Sequence, residues 1–333
     1  MKLLKLWKRI SLNLAGISLL SSLMIGSSNA SFDEQLNTEY PVTENLEVPI
    51  VEVIEELIED QNAPQFTVLN FHHFGEVEAY PTIGNITTSP KRFRELLEAL
   101  KKEGYTTITQ EQVQNYLESD EIIPEKSVLL TIDDGYESVY EHAYPVLKEL
   151  GMTATLYPII ADIEFGQRLG VPMLKWEQLK EMAESDVMVI GNHTYDLHWR
   201  ANNEIGSEAL LWRFKANGIR MNGAEQKATF KSDFVKAEKV YKEKTGLDMA
   251  KTFSFPYGAY DKLTLVILKE LVYKTAYTTE IGYNQLGDEA NDLLQIKRIG
   301  IDNNVSSEQL IRLLMKNSML ATSPLEEVVA EIE

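Results

Sequence analysis

The chain has 333 residues, 44% hydrophobic and 25% charged, with 51 acidic against 32 basic side chains and a formal net charge of −19. This is globular composition, which excludes a disordered chain, a fibre and a multi-span membrane protein; the acidity argues against a nucleic-acid partner, which demands a basic footprint. There is no cysteine, so thiolate zinc sites, thiol nucleophiles, disulfides and lipid-modified cysteine anchors are excluded and any metal must sit on His, Asp or Glu.

Lys2, Lys5, Lys8 and Arg9 precede an apolar run, Ile10 to Gly26, and Ser28-Asn29-Ala30 supplies small residues at a cleavage position. Residues 1–30 read as a secretory signal. The alternative is an uncleaved anchor, since the run is close to the minimum length for spanning a bilayer. Cleavage leaves about 303 residues with a net charge near −23, secreted or held at a cell surface. Residues 31–63 carry ten acidic side chains and no Lys or Arg, the pattern of a solvated spacer.

From residue 67 the pattern alternates between strands and helices. Thr67–Phe71 is a short apolar strand. Ser89-Pro90 opens a helix with an N-cap and an N1 proline; Phe93, Leu96, Leu97 and Leu100 form its buried face and Gly104 stops it. Thr109 and Gln112 make a capping box for a second helix. Further strands are expected at Ser127–Ile132, Thr153–Ile160, Val187–Ile190, Thr252–Phe255, Thr275–Thr278 and Ile296–Ile301. Helices are expected over residues 137–150, 175–184, from Ser232 to Gly246, 263–271 and from Ser306 to about Lys316. Residues 199–230 read as an irregular insertion. Repeated β-then-α units imply a parallel sheet. About seven strands predict an α/β fold, a distorted or incomplete (β/α) barrel forming a single catalytic domain over residues 64–318, with an acidic tail at 319–333. Barrel chemistry sits where strands end.

Four of the five histidines follow predicted strands: His72, His73, His193 and His198. The fifth, His142, falls in a helix and reads as structural or exposed. Asp133-Asp134-Gly135 follows the strand at 127–132. Adjacent carboxylates repel unless a cation or proton resolves the conflict. Their side chains point different ways, so one can meet a metal and the other the substrate. His193 and His198, five apart, can converge on the same ion, and with one carboxylate they leave coordination positions open, as a catalytic site needs. Pro256-Tyr257-Gly258 follows another strand and can present a backbone N–H. One of His72 and His73 can serve as a proton donor, the other being packed or exposed. Each segment alone is also compatible with an ordinary turn or core position.

In this order, Thr131-Ile132-Asp133-Asp134-Gly135, His193-Thr194-Tyr195-Asp196-Leu197-His198 and Phe255-Pro256-Tyr257-Gly258 resemble the polysaccharide deacetylase family, the NodB-like group of carbohydrate esterase family 4. The resemblance runs from about Thr67 to Leu314. Two departures narrow it. The histidines are five apart rather than four, and Ser254-Phe255 stands where the family's third motif carries Arg. With Asn70-Phe71-His72-His73, these features are similar to the biofilm poly-β-1,6-N-acetyl-D-glucosamine N-deacetylases, in their single-domain exported form. The resemblance implies a divalent metal on Asp134, His193 and His198: zinc first, with cobalt, nickel or iron also compatible. It implies Asp133 as general base for the attacking water, His72 as general acid for the leaving amine and Tyr257 as backbone oxyanion donor. Arg298 would orient Asp133 in place of the missing motif-three Arg, or make a barrel-rim ion pair. The expected partner is an N-acetylglucosamine polymer, the substrate of a monomeric enzyme, with membrane or cell-wall association through the N-terminus. Other readings are a deacetylase of peptidoglycan, chitin oligomers or acetylated xylan, and a non-catalytic surface glycan-binding protein on the same fold.

Overall fold

The chain order begins with β1 (Gln65–Phe71), short strands β2 (His73–Phe74) and β3 (Thr87–Thr88), α1 (Pro90–Lys102), β4 (Thr106–Thr107), α2 (Gln110–Glu118) and β5 (Ser127–Asp134). It continues through α3 (Tyr144–Leu150), β6 (Ala154–Pro158), α4 (Ile160–Phe165), a small hairpin of β7 (Gln167–Arg168) and β8 (Val171–Pro172), α5 (Trp176–Ala183) and β9 (Met188–Ile190). After a long excursion come α6 (Gly223–Thr245), β10 (Thr252–Ser254), α7 (Lys262–Glu270), β11 (Thr275–Tyr277), β12 (Asn284–Gln285), β13 (Ile299–Gly300) and α8 (Ser307–Thr322). The computed structural model describes residues 65–118, 123–202, 204–285 and 293–322, all within the unit Val51–Glu333. The expected signal at 1–30, the expected spacer at 31–63 and residues 323–333 lie outside the described residues. Among the described residues no helix is long and apolar enough to cross a membrane.

β1, β5, β6 and β9 form a continuous parallel ladder, in register at Asn70 with Thr131, Asp133 with Tyr157, and Leu156 with Ile190. β13 joins the other side of β1, pairing Leu69 with Ile299. β10 and β11 pair separately. Single-residue parallel bridges, Asn192 to Phe253 and Tyr277 to Ile296, link these pieces. The result is an α/β fold of seven parallel segments in a distorted barrel, whose ladder is interrupted at two seams. The seam between β9 and β10 is tight: a Cβ on Gly191 would lie 2.7 Å from the Thr252 methyl and against the Tyr157 ring. β12 adds an antiparallel edge, pairing Gln65 with Gln285.

Strand alternation sorts the side chains into two environments. Leu69, Phe71, Leu130, Ile132 and Leu156 pack outward into the layer holding α1, α3 and α5. Phe66, Val68, Leu129, Tyr157, Tyr277 and Ile296 form a second apolar cluster. On the β1 and β5 face that carries Val68 and Leu129, the next positions toward the strand ends are Asn70, Thr131 and Asp133. The interior therefore changes from apolar to polar toward the C-terminal ends of the strands.

The helix signals act as expected on physical grounds. Ser89 Oγ accepts from Arg92 N at 3.2 Å and Pro90 takes N1. Thr109 and Gln112 exchange reciprocal capping bonds of 2.9 and 3.2 Å. Ser306 and Gln309 do the same before α8, which runs past Lys316 to Thr322. The expected helix at 137–150 is a π-helical turn, Val139–Ala143, leading into α3. Pro145, which has no N–H to donate, explains the break in regular α-hydrogen bonding. The start at Ser232 needs correction: α6 begins at Gly223, behind an Asn222–Glu225 capping box. The insertion is correspondingly shorter, ending before Asn222.

Candidate active site

Five segments meet at the polar end of the barrel. Asp133 is buried and held on both oxygens: Arg298 Nη1 donates to Oδ1 at 3.0 Å, and Nη2 lies 2.8 Å from Oδ2. Asn70 Nδ2 and Ser254 Oγ each donate to Oδ2 at 3.2 Å. Arg298 is 1% exposed and its remaining donors reach Thr278 O at 2.8 Å, Asn70 Oδ1 at 2.9 Å and Ser254 Oγ at 3.1 Å. A bidentate guanidinium–carboxylate pair within a saturated hydrogen-bond network is the favourable form of a buried ion pair. Burial opposes ionisation of Asp133, but Arg298, with His193 and His72, outweighs it and lowers the pKa to about 2.

His72 lies on the Val68–Asn70 face of the chain beyond β1, with Nε2 4.0 Å from Asp133 Oδ2 and 24% of its side chain exposed. Enclosure lowers its pKa, against the pull of Asp134 and Asp133. His73 points away. It is 1% exposed, its Nδ1 is 3.1 Å from Thr87 Oγ1, and its ring packs on Tyr80 and Tyr136. His142 lies in the π-helical turn outside this group.

Asp134 would face outward by strand alternation. Its φ of 70° re-aims it toward the rim, where Oδ1 lies 3.6 Å from His193 Nε2 and 3.4 Å from His198 Nε2. Thr194 and Tyr257 also have left-handed backbone, at φ 72° and 57°, a costly conformation for side chains with a Cβ that concentrates at functional sites. The three ligand-type atoms of Asp134, His193 and His198 lie within 4.8 Å of one another. Asp134 Oδ1 is buried without any hydrogen-bond partner. An orphaned carboxylate oxygen facing two imidazole nitrogens is what a cation would satisfy, so these residues fit a divalent metal. Burial opposes Asp134's ionisation, yet the nearby imidazoles of His193, His198 and His72 hold it well below the ordinary carboxylate range.

The two imidazoles are supported differently. His193 Nδ1 is 2.7 Å from Ser254 O; a carbonyl only accepts, so Nδ1 carries the proton and Nε2 presents a lone pair. His198 Nδ1 receives Arg168 Nη2 at 2.8 Å; an arginine only donates, so the neutral ring's proton sits on Nε2. Burial lowers the pKa of His198 to about 3, despite Asp134. Arg168 also pairs with Asp162 at 2.6 Å. Tyr257 packs its ring 4.5 Å from that of His198 and is covered by the Arg200 guanidinium at 4.1 Å. The connecting loop is pinned from α6, where Asp233 accepts the Tyr195 and Asp196 N–H groups at 2.8 and 3.0 Å.

All seven residues singled out from the sequence thus occupy one rim. Asn70, Ser254, Arg168 and Asp233 were not singled out. Asn70 and Ser254 carried a faint signal, being polar residues at the ends of otherwise inward-facing apolar strands. Arg168 and Asp233 carried none, since surface loops and helices are full of charges.

A profile described as polysaccharide deacetylase matches residues 120–276. That stretch includes Asp133, Asp134, His193, His198 and Tyr257. Over 272 residues, 77% of its length, the chain is 26% identical to the poly-beta-1,6-N-acetyl-D-glucosamine N-deacetylase of Escherichia coli (strain K12), of which it spans 39%. It is 27% identical over 198 residues to the enzyme of that name from Staphylococcus aureus (strain N315), covering 60% of this chain and 63% of the relative. Among solved structures, the domain superposes on IcaB from Ammonifex degensii with a TM-score of 0.60 at 26% identity, covering 75% of this chain and 97% of that one. The Streptococcus pyogenes deacetylase PplD, solved in complex with acetate, gives a TM-score of 0.60 at 25% identity, covering 76% and 99%.

Proposed function

We propose that this chain is a metal-dependent N-deacetylase of poly-β-1,6-N-acetyl-D-glucosamine, exported to the cell surface. The observation that carries this is the orphaned Asp134 carboxylate oxygen facing His193 and His198 directly beside the Arg298-held Asp133. The relatives' names supply the substrate class, and a solved neighbour carries acetate, the product of such a reaction.

A divalent metal on Asp134, His193 and His198 supplies a Lewis acid and a more acidic water; zinc suits this donor set best. Asp133 stays ionised at every working pH and accepts the proton of the attacking water. Arg298, Asn70 and Ser254 fix its orientation, which counts more for a base of such low pKa than its strength does. The acetyl carbonyl takes the negative charge of the tetrahedral intermediate, and the Tyr257 N–H donates to it. His72, partly exposed and 4.0 Å from Asp133 Oδ2, hands a proton to the departing amine as the C–N bond breaks. Acetate and a free amine on the sugar result.

The test is acetate release from β-1,6-linked and β-1,4-linked N-acetylglucosamine oligomers, with and without chelator. Chelator-sensitive release from the β-1,6 series is expected. Release confined to β-1,4 oligomers would keep the mechanism and replace the substrate. Release unaffected by chelator would remove the metal from it.

A further inference from the structure

The excursion between β9 and α6 does more than connect them. It forms a concave surface of about 630 Å³ lined by Trp199, Trp212, Phe214, Lys215, Ala216 and Gly218, within the ~300–1,000 Å³ range of small-molecule sites. Trp199 and Phe214 are 39% and 41% exposed, and the Trp212 and Phe214 rings lie 5.4 Å apart. Large aromatic rings left in water around a concavity mark a binding surface. The surface is built firmly. Arg213 Nη2 pairs with Asp261 at 2.6 Å and Lys215 with Glu225 at 2.6 Å. Ala209 N donates to Trp199 O at 2.9 Å, and Arg200 pairs with the buried Glu208 at 3.0 Å.

It is tied to the candidate site through the chain at His198-Trp199-Arg200. Trp199 directly follows His198, whose Nε2 faces Asp134, and Arg200 lies over the Tyr257 ring that packs on His198. A polymer with one acetyl group at Asp134 must run outward across a neighbouring surface. Equatorially substituted pyranose rings present an apolar C–H face, and an aromatic ring is the side chain that packs on it while leaving the hydroxyls in water.

We infer that the Trp199–Trp212–Phe214 surface is a glycan subsite that holds a sugar ring of the substrate polymer next to the residue being deacetylated. This rests on the polysaccharide reading above. The subsite makes activity depend on chain length, because only an oligomer reaches both places at once.

Trp199 and Trp212 are two of the chain's four tryptophans, so binding is read by tryptophan emission. The probe is a β-1,6-linked N-acetylglucosamine pentamer, added in EDTA so that no turnover occurs. A saturable emission shift is expected, absent with the monosaccharide and lost in Trp212→Ala. With metal, Trp212→Ala and Phe214→Ala should raise KM for the pentamer about tenfold while kcat stays within about twofold. A wild-type protein that turns over the pentamer, with KM unmoved in both folded variants, overturns the subsite and spares the deacetylase reading. No turnover of the pentamer, with the Trp212-dependent shift still present, keeps the subsite and overturns that reading. An emission shift with anionic phospholipid vesicles and none with the pentamer overturns the subsite in favour of a lipid surface.

Discussion

Asp133 and Asp134 are neighbours in sequence and opposites in environment. Both oxygens of Asp133 are held by Arg298, with Asn70 and Ser254 completing the shell. Asp134 sits on strained backbone, one oxygen buried without a hydrogen bond, before two histidines. The first half of the rim is finished as protein; the second leaves a carboxylate oxygen that a cation would satisfy. Proteins tolerate such incompleteness where function requires it. The same type of substitution should therefore have opposite consequences in the two halves.

The largest expected effect is functional. Asp134→Asn removes the anionic ligand, so metal content should fall to background and kcat/KM by ~10³-fold or more. Metal-free thermal stability should stay equal or rise, because a costly buried carboxylate is replaced by a neutral group. Metal analysis and calorimetry on the metal-free protein check both halves of the statement. A large drop in Tm would mean that Asp134 is structural.

Asp133→Asn should show the reverse balance. It leaves the Arg298 guanidinium buried without its counter-charge, a loss of about 3 kcal/mol or more, seen as a lower denaturant midpoint. Metal should still bind. An unchanged midpoint would show that Asn70, Ser254 and Thr278 suffice to hold Arg298.

The half that was legible in the sequence is the half that uses local signals. Asp133-Asp134-Gly135, the His193–His198 pair and Pro256-Tyr257-Gly258 each follow a run of apolar residues, and strand ends are where barrel sites lie. Seven strands were readable because their apolar runs are short and bounded by turns. What completes the Asp133 half was legible only through the family resemblance, which offered Arg298 as its partner. Arg298 meets Asp133 across 165 positions, and hydrophobic periodicity says nothing about such a meeting. The β7–β8 hairpin escaped because its strands are only two residues each, too short for any alternation to register. The start of α6 was misplaced because Ser232 resembles a cap, whereas the box that works is Asn222 with Glu225.

Arg168 tests the unfinished half more finely. While its guanidinium donates to His198 Nδ1, the ring must change tautomer before Nε2 can offer a metal its lone pair. Arg168→Gln substitutes a group whose oxygen can accept from Nδ1–H, and it removes a positive charge. Metal affinity, measured by competition against a chromogenic chelator, should tighten about tenfold, the scale of changes in the shell around metal ligands. Weaker binding would instead make Arg168 a support for His198.

The smallest effect concerns pH, and it separates the loop from the metal-facing residues. Burial raises the pKa of Asp233 to about 6, even though it accepts the Tyr195 and Asp196 N–H groups. Its folded value lies above its unfolded one, so it contributes stability that is fully present below about pH 4 and lost as pH rises through 6. His198 has the opposite sign. Its folded value, about 3, lies below the unfolded one, so the metal-free protein loses stability as pH falls from about 6.5 toward 3. The two slopes oppose each other between pH 4 and 6. Asp233→Asn deletes only the first, so the acid-side loss in the metal-free variant should become steeper. The difference should be on the order of 1 kcal/mol across that window, given Asp233's partial exposure, read from urea midpoints at successive pH values. The substitution also replaces one of the two acceptors that pin the loop, so some loss of metal affinity should accompany it. Parallel pH profiles for variant and wild type would show that Asp233 titrates where an ordinary surface carboxylate does.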